Sequence, residues 1–218
     1  MEAQDRHRVI AIDGPAASGK SSVARALAQR LGFVYVNSGA MYRAVTWAVL
    51  DRGLNPNDKN GIIRLIETVS LDGKFIDREF HLLIDGVDLA PHLHEDRVNA
   101  EVSCVSTVPE VRKLLVQRMR AYAGNSDLVI EGRDIGSVVF PDTPYKFYVD
   151  ASPEVRAQRR AAQGHRDEIA QRDHADSSRA ASPLVVASDA EVIDTSKMSI
   201  DVVVDEIITR LKRKGLGI

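Results

Sequence analysis

The run Gly14-Pro15-Ala16-Ala17-Ser18-Gly19-Lys20-Ser21 has the G-x-x-x-x-G-K-[ST] spacing, a pattern whose chemistry is the cradling of phosphate. Small residues let successive backbone N–H groups point inward at a polyphosphate, and a helix opening there adds the positive end of its dipole. Lys20 is then placed to reach the β- and γ-phosphates, and Ser21 to offer its hydroxyl to a Mg²⁺ held by the nucleotide. A nucleoside triphosphate site is the first expectation. Spacing alone leaves the reaction class open. No Asn directly precedes a Lys in the chain, so the guanine-reading N-K-x-D of a GTPase is absent. Glu131, after the apolar run Leu128-Val129-Ile130, could serve as the acidic residue of a motor or helicase. A small chain with one such site suits a phosphotransferase acting on a small acceptor.

Such an enzyme must hold a second anion against the γ-phosphoryl and neutralise charge as it moves, which the planar, permanently charged guanidinium does best. Arg133 stands in Gly132-Arg133-Asp134-Ile135-Gly136, directly after an apolar run and so at the carboxyl edge where doubly wound sheets bind ligands. Arg156, Arg159 and Arg160 fall at i, i+3 and i+4, one helical face on which like charges repel unless an anion sits against them. Arg172, Asp176 and Arg179 fall at i, i+4 and i+7, so that in a helix Asp176 can hold either arginine. Between these clusters, 161–178 is polar and poor in large apolar residues, the composition of a cover that closes over phosphates and excludes water. Arg43 follows Asn37-Ser38-Gly39 on the polar side of a helix. A turn with a local Arg–Asp pair, a solvated basic face and surface salt bridges of small energetic value are the plain alternatives.

The elements that must position these groups read as an alternation. Val9-Ile10-Ala11-Ile12 is a short buried strand ending at Asp13-Gly14-Pro15. Val23, Ala24, Leu27, Ala28 and Leu31 then give a helix stopped by Gly32. Phe33 to Val36 is a second strand, followed by a helix capped by Ser38 and closed by Gly53. From Leu54 to Asn99, Asn-Pro and Asp-Gly pairs break the chain into one helix (Ile62 to Val69) and a small antiparallel element. Val98 to Tyr122 holds two helices, the second opened by Pro109. Leu128–Ile130, Lys146–Val149 and Glu191–Asp194 are further strands; Ser152-Pro153 opens one helix and Ser199 caps another over Ile200–Lys212. The expected fold class is α/β, a doubly wound parallel sheet with an insertion.

Composition sets outer limits. A chain of 218 residues with 44% hydrophobic and 28% charged residues supports one core with a modest insertion. With 29 basic against 31 acidic residues, a net charge of −2, no global field holds a nucleic acid. Cys104 is the only cysteine, which excludes an internal disulfide and a zinc knuckle and suits a reducing compartment. No apolar run approaches the roughly 18 residues of a membrane span, and no signal-peptide core precedes the first strand. The expectation is a cytoplasmic protein with neither a membrane nor a nucleic-acid partner. Cys104 and Trp47 are expected as core packing, His92 and His94 with Glu95 and Asp96 as no metal cluster, and the basic tail Arg210, Lys212, Arg213 and Lys214 as a solvated helix end.

The residues together resemble the bacterial cytidylate kinases of the nucleoside monophosphate kinase group. The resemblance is carried by Ile12-Asp13-Gly14-Pro15 leading into the phosphate loop and by Ser38-Gly39-Ala40-Met41-Tyr42-Arg43. It is carried further by Val129 through Asp142 (VIEGRDIGSVVFPD), and by Arg172-Asp173 with Asp176 and Arg179. It implies a P-loop kinase core (1–53 and 99–218), an inserted monophosphate-binding region (54–98) and a short LID (about 161–178). It implies a monomer that transfers a phosphoryl group from ATP, with Mg²⁺, to CMP or dCMP. The loop Gly14, Pro15, Ala16, Ala17, Ser18, Gly19, Lys20, Ser21 and Ser22 would bind ATP. By the same resemblance Arg43 and Arg133 bind the CMP phosphate, joined by Arg179 during transfer. Ser103, Arg112 and Asp134 read cytosine with Ser38 close by, Arg172 and Asp176 sit near the nucleotide sugar, and Arg156, Arg159 and Arg160 stabilise the transferred group. Three positions depart from the family pattern: Asn37 where Asp is usual, Leu93-His94-Glu95 where Ile-Arg-Thr is usual, and Ser22 where Thr is commoner. The alternatives are another small-acceptor P-loop kinase, of UMP/CMP or shikimate type, and a nucleic-acid-stimulated ATPase.

Overall fold

Val9–Asp13 (β1) is buried along its whole length, as an unbroken apolar run requires when both faces of a strand are covered. The computed structural model describes residues 7–162 and 184–218, and the chain divides into two compact units, Met1–Tyr35 with Tyr122–Ile218, and Val36–Ala121.

In the first unit β1 lies between two parallel neighbours, Leu128–Gly132 (β6) and Tyr145–Asp150 (β7), and Glu191–Asp194 (β8) pairs parallel with β7. Val34–Asn37 (β2) lies beyond β6, giving the order β2–β6–β1–β7–β8. Helix α1, Lys20–Leu31, follows β1, α6, Pro153–Ala162, follows β7, and α7, Ile200–Arg213, follows β8. The apolar stripes of α1 (Val23, Ala24, Leu27, Ala28) and α7 (Val203, Val204, Ile207, Leu211) share one core with Ile10, Ile12, Val129, Phe147 and Val149. The caps are those that the sequence signals: Gly32 at φ 71 ends α1, and the Ser199 side chain accepts from the Val202 N–H to open α7.

The pairing of β1 with β6 matters most, because Asp13 is opposite Gly132. Parallel strands in register end together. The Gly14–Ser21 loop and the Gly132–Gly136 turn therefore leave the sheet at one edge, side by side. After that turn Ile135–Val139 forms a single π-helical turn, an element that no sequence signal announces and that concentrates at functional sites.

In the second unit, α2 (Ser38–Asp51), α3 (Lys59–Thr68), α4 (Asp96–Val105) and α5 (Pro109–Ala123, whose last residues belong to the first unit) accompany an antiparallel meander. Its strands are Leu71–Ile76 (β3), Glu79–Ile84 (β4) and Val87–Asp88 (β5). The sheet is thus mixed rather than wholly parallel. The region 54–98 lies inside this unit. Two local expectations are corrected. The N-cap of α2 is Asn37, whose Oδ1 accepts from the Ala40 N–H at 2.9 Å, while Ser38 is the first helical residue and is buried; the strand runs one residue further, and Asn caps as well as Ser. Asp72-Gly73 is not a turn but lies within β3, opposite Leu83 and Leu82. The β3–β4 hairpin turns at Asp77-Arg78, both at positive φ, and β4–β5 at Asp85-Gly86, the backbone signature of two-residue type I′ turns.

Candidate active site

The phosphate loop is built from residues that tolerate its geometry. A Cβ on Gly14 would lie 2.0 Å from the Val149 carbonyl oxygen, so only glycine fits where the loop crosses the end of β7. Ala17 and Gly19 take φ values of 58° and 91°. Ala17 holds the left-handed conformation without glycine's freedom, at a cost of about 1 kcal/mol. Ala17→Gly is expected to leave stability unchanged or raise it by up to about 1 kcal/mol, read from denaturant midpoints at constant slope; a fall of 1 kcal/mol or more would contradict the strain.

Lys20 is buried, its Nζ 3.0 Å from the Pro15 carbonyl oxygen and 3.9 Å from Glu131 Oε2. Ser21 Oγ donates to Glu131 Oε1 at 2.8 Å, and Tyr35 donates to the same oxygen at 3.4 Å. A buried cation is tolerable only with such compensation. Glu131 thus touches both loop residues that would meet phosphate and metal, a role sequence reasoning raised only for a motor ATPase. The usable signal was its register: it stands next to last in β6, opposite Ile12 of β1. Ser18 is fully buried and its hydroxyl has no hydrogen-bond partner among the described residues, a donor that calls for a partner beyond them. Ser22 is exposed on the outer side of α1.

Beside the loop, the Asp13 carboxylate accepts the backbone N–H groups of Ile135 and Gly136, each at 2.8 Å. Burial pushes the Asp13 pKa up to about 6; the two N–H donors and Arg133 act against that rise, and Asp134 adds to it. Arg133, with Nη1 3.4 Å from the Gly132 oxygen, and the buried Asp134 stand immediately before those amides.

Helix α6 buries no residue. Its less exposed side carries Val155, Arg156, Arg159 and Arg160. Arg156 Nη1 donates to the Ala16 oxygen at 3.4 Å and Arg159 Nη1 to the Ser18 oxygen at 3.0 Å, so this face is turned onto the phosphate loop and is no solvated basic stripe. Arg159 also reaches the oxygen and hydroxyl of Thr195, whose Oγ1 lies 2.9 Å from the Ser18 oxygen. Thr195 follows β8 and carried no sequence signal.

Within the second unit a separate polar group forms around α2. Arg43 Nε donates to Asn99 Oδ1 at 3.5 Å, and Asn99 Nδ2 to the His94 oxygen at 3.0 Å. Arg112 is buried, its guanidinium 5.5 Å above the Tyr42 ring and 3.3 Å from the Ser106 oxygen. Ser106 in turn donates to the Ser103 oxygen at 2.9 Å. Arg43 is thus tied to α4 through Asn99 and Arg112 to α2 through the Tyr42 ring, with the buried Ser38 opening α2.

The model of the family described as cytidylate kinase matches residues 10–213. The chain belongs to the cytidylate kinase family. Curated cytidylate kinases from Pelotomaculum thermopropionicum and Mycobacterium leprae are 45% and 44% identical to it. They cover 93% and 95% of this chain, which covers 95% and 96% of theirs. A bifunctional pantoate ligase/cytidylate kinase of Synechococcus elongatus is 41% identical over 98% of this chain, which spans 44% of that protein. A solved Thermus thermophilus protein, 21% identical with a TM-score of 0.51, covers 98% of this chain and is itself fully covered; it bears on the fold alone. As a cytidylate kinase family member the chain is a phosphotransferase enzyme with a P-loop core. Three residues expected at the site, Arg172, Asp176 and Arg179, lie outside the described residues, as does all of the expected LID 161–178 except Ala161 and Ala162, which end α6.

Other expectations shift. Trp47 is not core: its ring lies 5.1 Å from that of His92 and under Arg97. Cys104 is half-exposed, its thiol 3.2 Å from the Pro56 oxygen, and burial raises its pKa. His92 is bonded to Glu95, and no group of three or more His, Cys, Asp or Glu that could hold a metal occurs among the described residues. In the basic tail, Arg210 and Lys214 both pair with Glu191 rather than standing free. No helix among the described residues is long and apolar enough to cross a membrane.

Proposed function

We propose that the chain transfers the γ-phosphoryl group of ATP to CMP or dCMP, with the Gly14–Ser22 loop holding the donor and Arg133 and Asp134 reading the acceptor beside it. The observation that carries this reading is the opposition of Asp13 and Gly132, which starts both segments from one strand edge. Within the 36–121 unit, Arg43, Ser38, Ser103 and Arg112 are the acceptor-binding residues that the family resemblance implies, and 54–98 is its monophosphate-binding region. The LID of about 161–178, the sugar-side Arg172 and Asp176 and the phosphate-binding Arg179 complete the reading and lie, apart from Ala161 and Ala162, outside the described residues. Asp134 accepts from the exocyclic amine that separates cytosine from uracil.

The transfer is in line onto a 5′-phosphate oxygen that is already anionic near neutral pH. It therefore needs no covalent intermediate and no essential general base, and positioning and charge neutralisation carry the rate. Lys20 meets the β- and γ-oxygens. Arg156 and Arg159 exchange the loop carbonyls of Ala16 and Ser18 for phosphate oxygens, and Arg160, on the same helical face, joins them in stabilising the transferred group. The oxygen donors Ser21 and Glu131, 2.8 Å apart, suit Mg²⁺; the ion arriving with ATP would be held there by the Ser21 hydroxyl and would neutralise phosphate charge.

The test is ADP formation with CMP, dCMP, UMP, AMP and shikimate as acceptors. Turnover is expected to be highest with the cytidine nucleotides; none above background with either sinks the assignment. Asp134→Asn is expected to lower kcat/KM for CMP by about 100-fold and to narrow the preference for CMP over UMP. An unchanged CMP/UMP ratio would remove Asp134 from base reading.

A further inference from the structure

We infer that Asp13 is a positioning residue for the acceptor: its carboxylate, fixed on β1, holds the turn that presents Arg133 and Asp134. The inference rests on the reading of that turn as the acceptor side, and its ground is geometric. The π-helical turn begins at Ile135 with Asp134 at its N-terminal boundary, and the Asp134 carbonyl accepts from the N–H groups of Val138 and Val139. The first N–H groups of such a turn have no partner within it. Here the partner comes from another strand, since Asp13 takes both the Ile135 and the Gly136 N–H, as a capping side chain does but 122 residues away in sequence. The approach is close. A Cβ on Gly136 would meet Asp13 Oδ2 at 3.4 Å and the Lys146 stem at 3.1 Å, so the turn lies flat on β1 and β7.

The same residue begins the phosphate loop, yet the two duties separate. The Asp13 backbone is paired with Gly132 on one side and Tyr148 on the other, and these bonds survive a change of side chain. Only the 134–136 segment depends on the carboxylate. Asn at this position keeps the shape and one acceptor oxygen but turns an N–H₂ toward the second amide. Protonation acts alike, because a neutral carboxyl retains one good acceptor. The charged groups around Asp13 are Asp134 and Arg133 on the turn, Lys146 on β7, whose ammonium is engaged by Asp189 and the Pro141 oxygen, and the Lys20–Glu131 pair.

The experiment compares Asp13→Asn with the unaltered protein, measuring dissociation constants for ATP and for CMP separately by calorimetry, and kcat and KM at pH 7.5. The expected result is a CMP dissociation constant and CMP KM raised about tenfold, with ATP binding changed by less than threefold. Equal losses for both ligands, or no loss for CMP, overturn the inference. A second measurement stands should the variant fail to fold. The unaltered protein is titrated with cytidine 5′-sulfate, whose charge does not change over the range, between pH 5 and 7.5. Affinity is expected to fall as pH drops through about 6, where the Asp13 carboxylate takes a proton, while the folded signal persists; affinity independent of pH overturns it. Turnover of CMP by the unaltered protein at pH 7.5 tests the underlying reading independently, so the two can fail separately.

Discussion

Lys20→Met is expected to lower kcat by about 10³-fold, roughly 4 kcal/mol of transition-state stabilisation. Lys20 is buried and held by the Pro15 carbonyl and Glu131, so its cation is already oriented toward the mouth of the loop when the nucleotide arrives. Methionine keeps the stem and volume and deletes the charge alone. It also leaves Glu131 without its cation, which the Ser21 and Tyr35 hydroxyls still satisfy, and folding should therefore persist. Single-turnover measurement with saturating ATP and CMP reads the chemical step directly. A loss of less than tenfold would mean that the backbone amides carry the phosphate charge without the lysine.

Gly14→Ala is expected to destabilise the protein and abolish its grip on the nucleotide. The added Cβ would lie 2.0 Å from the Val149 oxygen, and Val149 cannot yield, because it is fully buried and opposite Ile193 in the ladder of β7 with β8. Either the loop or the strand must move, at about 3 kcal/mol, the upper range of overpacking. For a chain of this size that lowers Tm by roughly 6–12 °C. ATP binding should be lost as well, since the loop amides leave their positions. A melting temperature within 2 °C of the unaltered protein would show that the loop has room the structure does not give it.

The order of strands and helices in the first unit was legible because each element carries its own local mark. The apolar runs of β1 and β6 lead into Gly14 and Gly132, the stripe on α1 has helical spacing, and Ser152-Pro153 and Ser199 open their helices. The phosphate loop was legible for the same reason, all its chemistry being contiguous. Glu131, Asp13 and Thr195 were harder to assign. Their contacts are made across 110, 122 and 177 residues of sequence, and only the register of parallel strands brings them to the loop. Trp47 was misread because an aromatic residue at helical spacing looks like core, whereas its partners His92 and Arg97 come from a different part of the same unit. The Asp77-Arg78 turn lacked the usual glycine, so the register of β3 on β4, not the turn residues, sets it. The arginines of α6 were found by spacing, but their direction toward Ala16 and Ser18 was not.

That direction has a further effect. A helix with no buried residue has little hydrophobic anchorage, so α6 is moored to the molecule mainly by guanidinium bonds to neutral oxygens, beside one long pair of Arg156 with the half-exposed Asp150 at 4.0 Å. Such a mooring is weak where water competes and becomes strong only against a fully charged acceptor. The segment thus sits low on the ladder of local stability, and a polyphosphate lying in the loop would act as the missing ballast, converting a lightly tethered helix into a firmly berthed one.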